Sequence, residues 1–329
     1  MDSVPSTASR GARQRGSVRH LPVNLFGAVM GLAGLSLAWR TAHRLFGVTP
    51  AIGDALGVVA AAAFLALSAG YVAKCLCYPA TVRAEFEHPV AGNFFGTITI
   101  AIMLLSAIVG RYDHVFGEAM WACGAGLAFL LAFVVVGRLL RGKVDPAHAA
   151  PPWLISGVAT LDIPVTGGSM PMAWAPEANL FALAAGTMMA LVFFTMIFSR
   201  VIHHDPLPAA MTPSLIVMVA PFEVGFLAYV GVMHTVDMFA GLLFHAGLFL
   251  FITLSPKVFR REIPFATSWW AVSFPMAALA SAALQYAAYT GTRASSVVAG
   301  LLLVLVSAVV AVLFVQTLHR LFTGRLLVE

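Results

Sequence analysis

The chain has 329 residues, 60% of them hydrophobic and only 10% charged, with a mean hydropathy of +0.91. A soluble domain of this length needs far more charge to cover its surface, so the composition excludes one and points to an integral membrane protein. The formal net charge of +5 comes from basic residues scattered between apolar stretches. That pattern reads as loop charge beside lipid headgroups, not as a nucleic-acid footprint.

In chain order, residues 1–20 are rich in Ser and Arg and are expected to be a disordered cytoplasmic N-terminus. The apolar stretch that follows is too long for a signal-peptide core and lacks a small-residue cleavage site. It reads as a first, uncleaved transmembrane helix. A spanning helix needs about 20 predominantly apolar residues. Ten segments qualify: 22–46, 54–78, 90–110, 116–140, 152–171, 178–200, 209–234, 236–256, 264–290 and 295–320. Short links separate them, such as "RGKVDPAHAAPP" (141–152) and "SRVIHHDPLP" (199–208). The organisation read from this is a ten-helix transmembrane domain over 21–322, followed by a cytoplasmic tail, 323–329.

The distribution of positive charge supports the count. With both termini on one side, only Arg40, Arg44, Arg111 and Arg293 fall on the opposite side, leaving the other fifteen of the 19 Lys and Arg with the termini. The positive-inside rule makes the termini cytoplasmic, and a missed helix would scramble the asymmetry.

Helix breakers are unevenly shared. The fifth, seventh and ninth spans contain Pro164, then Pro213 with Pro221, then Pro275; the first has Gly27, Gly31 and Gly34, and the third Gly96. Even spans carry proline only at their ends, as Pro79 and Pro256. A helix-interior proline frees a carbonyl, which in hydrocarbon must be satisfied by protein or water. The odd spans are therefore expected inside, around a water-accessible path, with the even spans facing lipid.

Four stretches carry a resemblance: "NLFGAVMGLAGLSLAW" (24–39), "RAEFEHPVAGNFF" (83–95), "PSLIVMVAP" (213–221) and "ATSWWAVSFPMA" (266–277). They resemble the tellurite-resistance/dicarboxylate transporter family, which includes the slow-type anion channels of plant guard cells and yeast malate and sulfite transporters. The resemblance implies an all-α fold of ten helices in five hairpins, an inner ring of odd helices around a central pore, and homotrimers. It implies small inorganic or organic anions as what is moved, no cofactor, no enzymatic activity, and residence in a bacterial inner membrane. It also implies that an aromatic ring on the ninth helix plugs the pore; the matching position is Phe274, beside Pro275. A phenyl ring occludes by packing and dewetting, without charge. Phe26, Phe94, Pro164 and Pro221 are the further candidates for pore lining or kinks.

Asp162 on the fifth span and Glu223 on the seventh depart from the family's small or apolar residues. Ionisable groups at bilayer depth are costly, and burial disfavours the charged form of a carboxyl. Three readings stand: they couple anion movement to protons, they cap a kink or pair with a basic or hydroxyl group, or one lies near an interface. Thr160, Thr166 and Ser169 offer hydroxyls near Asp162. Elsewhere at pore depth basic residues are lacking, which suggests a weak site for readily dehydrated anions. Lys74 is expected to snorkel toward the headgroups. Cys75, Cys77 and Cys123 read as small helix-packing residues, and neither they nor His203-His204-Asp205 suggest a metal site. A haem-bearing redox subunit would need paired intramembrane histidines; only His245 is deep, with His234 marginal.

Overall fold

The structure is a computed structural model and describes residues 17–142, 144–324 and 326. Residues 1–16 of the expected N-terminal segment lie outside the described residues, as do Lys143 and, in the tail, 325 and 327–329. Residues Val18–His20, expected to be disordered, form a short 3-10 turn whose start is capped by the Ser17 hydroxyl.

Among the described residues there are eleven α-helices and no strand: α1 (Phe26–Phe46), α2 (Ala51–Cys77), α3 (Pro79–Glu87), α4 (Gly96–Val109), α5 (His114–Leu140), α6 (Trp153–Gly167), α7 (Ala175–His203), α8 (Ala220–Met233), α9 (Met238–Val258), α10 (Ser273–Thr290) and α11 (Arg293–Phe322). Nine helical stretches are long and apolar enough to cross a membrane. They coincide, within a few residues, with nine of the ten expected spans. The remaining one, 152–171, is occupied by α6, whose 15 residues rise about 22 Å.

Five helices pack as a closed ring: α1 on α4, α4 on α6, α6 on α8, α8 on α10 and α10 back on α1. Each carries its successor on the outside, α2 on α1, α5 on α4, α7 on α6, α9 on α8 and α11 on α10. Burial follows the same division. The apolar stretches running through α1, α4, α8 and α10 are 61–83% buried, those of the five outer helices only 17–33%. Large side chains such as Leu65, Phe133, Leu191, Phe249 and Leu301 stand exposed on the outer helices, where a bilayer covers them.

Helix α1 meets α10 through its glycines. A Cβ at Gly31 would collide with Ser273, and one at Gly34 would sit 3.1 Å from Ala277 Cβ and 3.5 Å from the Phe274 ring. Small residues at this spacing let two helix backbones approach closely where the solvent is lipid.

Three of the four inner-span prolines lie in a 3-10 segment or just past its junction with an α-helix. Pro221 and Pro275 lie in the first turns of α8 and α10, where these helices take over from 3-10 segments, Ala209–Val219 and Thr267–Val272. Pro213 lies within the first of those segments. Pro221 and Pro275 each lack an amide where the tighter 3-10 segment passes into the α-helix, so the break in regular hydrogen bonding falls at that junction. Of the inner-span prolines, Pro164 alone sits in the interior of an α-helix. The carbonyls around it are taken up: Ile163 accepts from the Trp121 indole at 3.0 Å, Gly167 from the Asn179 amide at 2.8 Å, and Asp162 from the Thr166 hydroxyl at 3.1 Å.

Lys74 does not snorkel. It is 3% exposed and donates to Glu85 Oε2 at 2.6 Å and to the Leu21 carbonyl at 2.8 Å. Helix α3, which the hydropathy pattern did not separate from its neighbours, folds back and delivers that carboxylate. Glu85 also accepts from the Tyr71 hydroxyl and the Val23 amide. Cys75, Cys77 and Cys123 are exposed on α2 and α5 rather than packed between helices.

Candidate functional site

Two cavities lie within the ring, one in each half. The lower, about 20 Å³, is lined from the early turns of the inner elements, by Gly27 and Met30, Thr97 and Ile100, Ile155 and Val158, Val217 and Ala220, and Phe274 with Pro275. The upper, about 540 Å³, is lined from their later turns, among them Gly34, Leu104, Asp162, Leu227 and Ala278. Equivalent depths of five helices meet in each cavity, which requires the five to run parallel. The lower volume is close to that of a single water probe, and its walls are almost wholly apolar.

Among the described residues one side chain belongs to both linings: Phe274. It lies in the first turn of α10, is 6% exposed, and packs against the space left by Gly34. The sequence-predicted residues therefore separate into groups. Phe94 and Pro275 join Phe274 at the lower cavity, and Asp162 joins it at the upper one.

Phe26, Pro164, Pro221 and Glu223 line neither. Phe26 points outward and meets the rings of Phe64 and Tyr71 edge-on, each at 6.0 Å between centroids. Pro221 faces a groove between α7 and α9, with Phe194, Phe222 and Leu243. Glu223 is fully buried against α9, where its carboxyl fills the space that a side chain at Gly247 would need. Being one turn into α8 does not orient a residue toward the axis.

Neither carboxyl has a hydrogen-bond partner: both oxygens of Asp162 and both of Glu223 are buried and unpaired. Two of the three hydroxyls expected to serve Asp162 bond elsewhere, Thr160 to the Gly157 carbonyl and Thr166 to the backbone of Asp162, while Ser169 lines the same cavity. Of the two, only Asp162 faces a cavity.

The upper cavity is also bordered by basic side chains: Arg40, His43 and Arg44 from the last turns of α1, and Arg111 after α4, line its wall. Arg40 is 7% exposed and pairs with Asp54 at 2.9 Å; Arg44 reaches only the Thr41 hydroxyl, at 3.4 Å. Three of the four arginines that break the charge asymmetry thus border one cavity. The spacing of Arg40 and Arg44, four residues apart on one helix face, was the available signal. The histidines weighed as haem ligands are accounted for differently. His245 hydrogen-bonds to its own helix at Gly241 and packs on Phe244 and Tyr286, and His234 closes α8 in a left-handed conformation.

Nine apolar spans, a closed helical ring and two cavities meeting at one aromatic side chain define a polytopic membrane protein organised around its central axis. The description "Voltage-dependent anion channel" matches residues 20–318, and the chain belongs to that family. Its similarity extends to the S-type anion channel SLAH2 of Arabidopsis thaliana, 27% identical over 80% of this chain and 52% of that protein. The guard cell S-type anion channel SLAC1 of the same plant is 27% identical over 93% of this chain and 57% of that protein. The tellurite resistance protein TehA homolog of Haemophilus influenzae is 26% identical over 93% of this chain and 92% of that protein. The chain thus spans about half the length of the plant relatives and nearly all of the bacterial one. These relatives bear out the resemblance drawn from the four sequence stretches.

Proposed function

We propose that this protein passes small anions across the membrane along the axis of its helical ring, and that the Phe274 ring gates the path. The observation carrying this reading is that Phe274 belongs to the walls of both cavities. A narrow apolar constriction closed by a phenyl ring excludes a hydrated ion by size and dewetting. The cations of the upper cavity favour the same substrate class, because like-signed charges around a low-dielectric recess concentrate counter-ions there. In this reading α6 completes a set of ten spans in five hairpins, both termini face the cytoplasm of a bacterial inner membrane, and the chain assembles as a homotrimer. The relatives and the charge asymmetry support that arrangement. The test is anion flux into liposomes containing the purified protein, with chloride, nitrate, malate and sulfite compared. Flux no higher than in protein-free vesicles for every anion would overturn it.

A second reading is favoured by one observation. Asp162 faces the cavity beside Phe274 with both carboxyl oxygens unpaired, which suits a group that takes up and releases a proton. The protein would then be a proton-coupled exporter of dicarboxylates, sulfite or tellurite-like oxyanions. Asp162→Asn would abolish flux driven by a pH gradient, whereas Glu223→Gln, which alters a group away from both cavities, would not. Equal dependence on the gradient in wild type and Asp162→Asn would dismiss the coupled reading.

A further inference from the structure

We propose that the end of the bundle beside the last turns of α9 and α11 binds an anionic phospholipid from the adjacent leaflet. Two recesses meet there. One is an apolar groove of about 400 Å³ between Phe259, Phe265 and Trp269 on one side and Val309, Val312 and Leu313 of α11 on the other. The second is a pocket of about 360 Å³ lined by Arg200, His204, Lys257 and Arg260, with Glu262 as its one carboxylate. Arg260 and Ile263 belong to both, so the apolar groove runs directly into the basic pocket.

The protein engages these cations through backbone carbonyls at most. Among the described residues, Arg200, Lys257, Arg260 and Arg261 have no carboxylate partner. Arg260 uses only its Nε, toward the Pro256 carbonyl at 3.3 Å; Arg200 donates its Nε to the Ala147 carbonyl at 3.4 Å, and its Nη1 is buried without a partner. A guanidinium fork with its terminal nitrogens available matches the oxygens of a phosphodiester. Arg320 adds charge at the rim, lying 4.8 Å over the Phe265 ring.

The depth is right for a lipid. The groove lies along the second half of a membrane-spanning helix, and the pocket lies on the turn after α9, where acyl chain gives way to headgroup. Trp269, whose indole donates to the Pro264 carbonyl at 3.0 Å, stands at that boundary, as tryptophans do in membrane proteins. A free phosphate would use only the basic half of the site. A zwitterionic lipid would bring its own cation into a pocket already rich in them. An anionic phospholipid satisfies both halves, and basic pockets between helices at headgroup level hold such lipids.

The test uses the full chain, delipidated in detergent, with binding of phosphatidylglycerol, phosphatidylcholine and inorganic phosphate followed by native mass spectrometry and thermal stability. Phosphatidylglycerol is expected to remain bound and raise the melting temperature at concentrations where phosphatidylcholine and phosphate do neither. Lys257→Gln with Arg260→Gln is expected to weaken phosphatidylglycerol binding at least fivefold, and Val312→Trp, which fills the groove, to do the same without touching a charge. Equal binding of the two lipids to the unmodified protein would overturn the proposal, as would an equal response to phosphate. So would cross-linking of Val312→Cys between copies of the chain, which would show that a second subunit covers the groove. None of these readouts depends on ion flux, so the transport reading and this one fail separately.

Discussion

Replacing Phe274 by alanine is expected to raise anion flux by between about 5- and 150-fold. With the ring in place, passage between the cavities requires it to leave its packed position. Moving a buried ring off its rotamer costs about 1 kcal/mol, and giving up part of its packing adds some share of the 3–5 kcal/mol that removal of a whole buried phenyl group commonly costs. The ring packs against Gly34 and borders both cavities, so moving it toward either space forfeits only part of that packing. A displacement cost of about 1–3 kcal/mol follows, and at roughly 1.4 kcal/mol per tenfold it leaves the path open between about one-fifth and 1/150 of the time. The alanine form removes that bias. Because the plug is apolar, flux of several anions should rise together without a change in their order, and Phe274→Leu, which keeps bulk, should give a smaller gain. Liposome flux of the three forms at matched protein density measures this. An alanine form that assembles normally yet conducts no better than wild type would refute the gating argument, and Phe94, on the lower cavity wall, would be the next ring to test.

Other expectations follow from the same geometry. Neutralising Arg44 or Arg111 should slow anion entry from the upper cavity by about 2- to 30-fold at low salt, the range for a unit charge about 8 Å away at effective dielectric constants of 80 to 20; titrating salt should erase the deficit, and a deficit that persists at high salt would mean a structural defect instead. Gly31→Val should cost about 1–3 kcal/mol by forcing α1 away from Ser273, seen as a loss of monodisperse protein on size exclusion. Asp237 caps α9 between two spans, and the Tyr229 hydroxyl at 2.6 Å, followed by the Ala240 amide, holds its carboxyl below the usual carboxylate range. Its contribution is present above the ordinary aspartate pKa of about 3.9 and is lost as pH falls through the depressed value. Asp237→Ala should therefore melt below wild type at pH 7, with the gap closing below about pH 4; a gap independent of pH would point to the cap geometry alone.

How far the sequence disclosed this structure depends on which physical signal each element sends. Hydropathy over twenty residues located nine spans to within a few residues, because the bilayer imposes a minimum apolar length on every helix that crosses it. It overran α6, where a short helix among neighbours needs no lipid-facing surface. Glycine spacing on the first span marked the inner ring, since Gly27, Gly31 and Gly34 have meaning only against a close partner helix. Prolines pointed to the same helices, and Pro221 and Pro275 mark where 3-10 segments pass into α-helix. Side-chain direction was the least legible property. Asp162 and Glu223 looked equivalent as buried carboxyls on inner spans, yet one borders the upper cavity and the other is pressed on Gly247. The arginines of the upper cavity were grouped with the charge beside lipid headgroups because nothing in a linear pattern tells a helix end at a headgroup from a helix end at a recess.

The central claim, that Phe274 closes a continuous path between the two cavities, is tested most directly by thiol accessibility. Val158, on the lower cavity wall, is changed to cysteine in a chain whose exposed Cys75, Cys77 and Cys123 are replaced by serine. A membrane-impermeant anionic thiol reagent is then supplied only from the upper-cavity side. The account predicts labelling about 5- to 150-fold slower while Phe274 is present, and rapid labelling, with loss of flux, once it is alanine. Labelling at the same rate in both forms, or in neither, would contradict it.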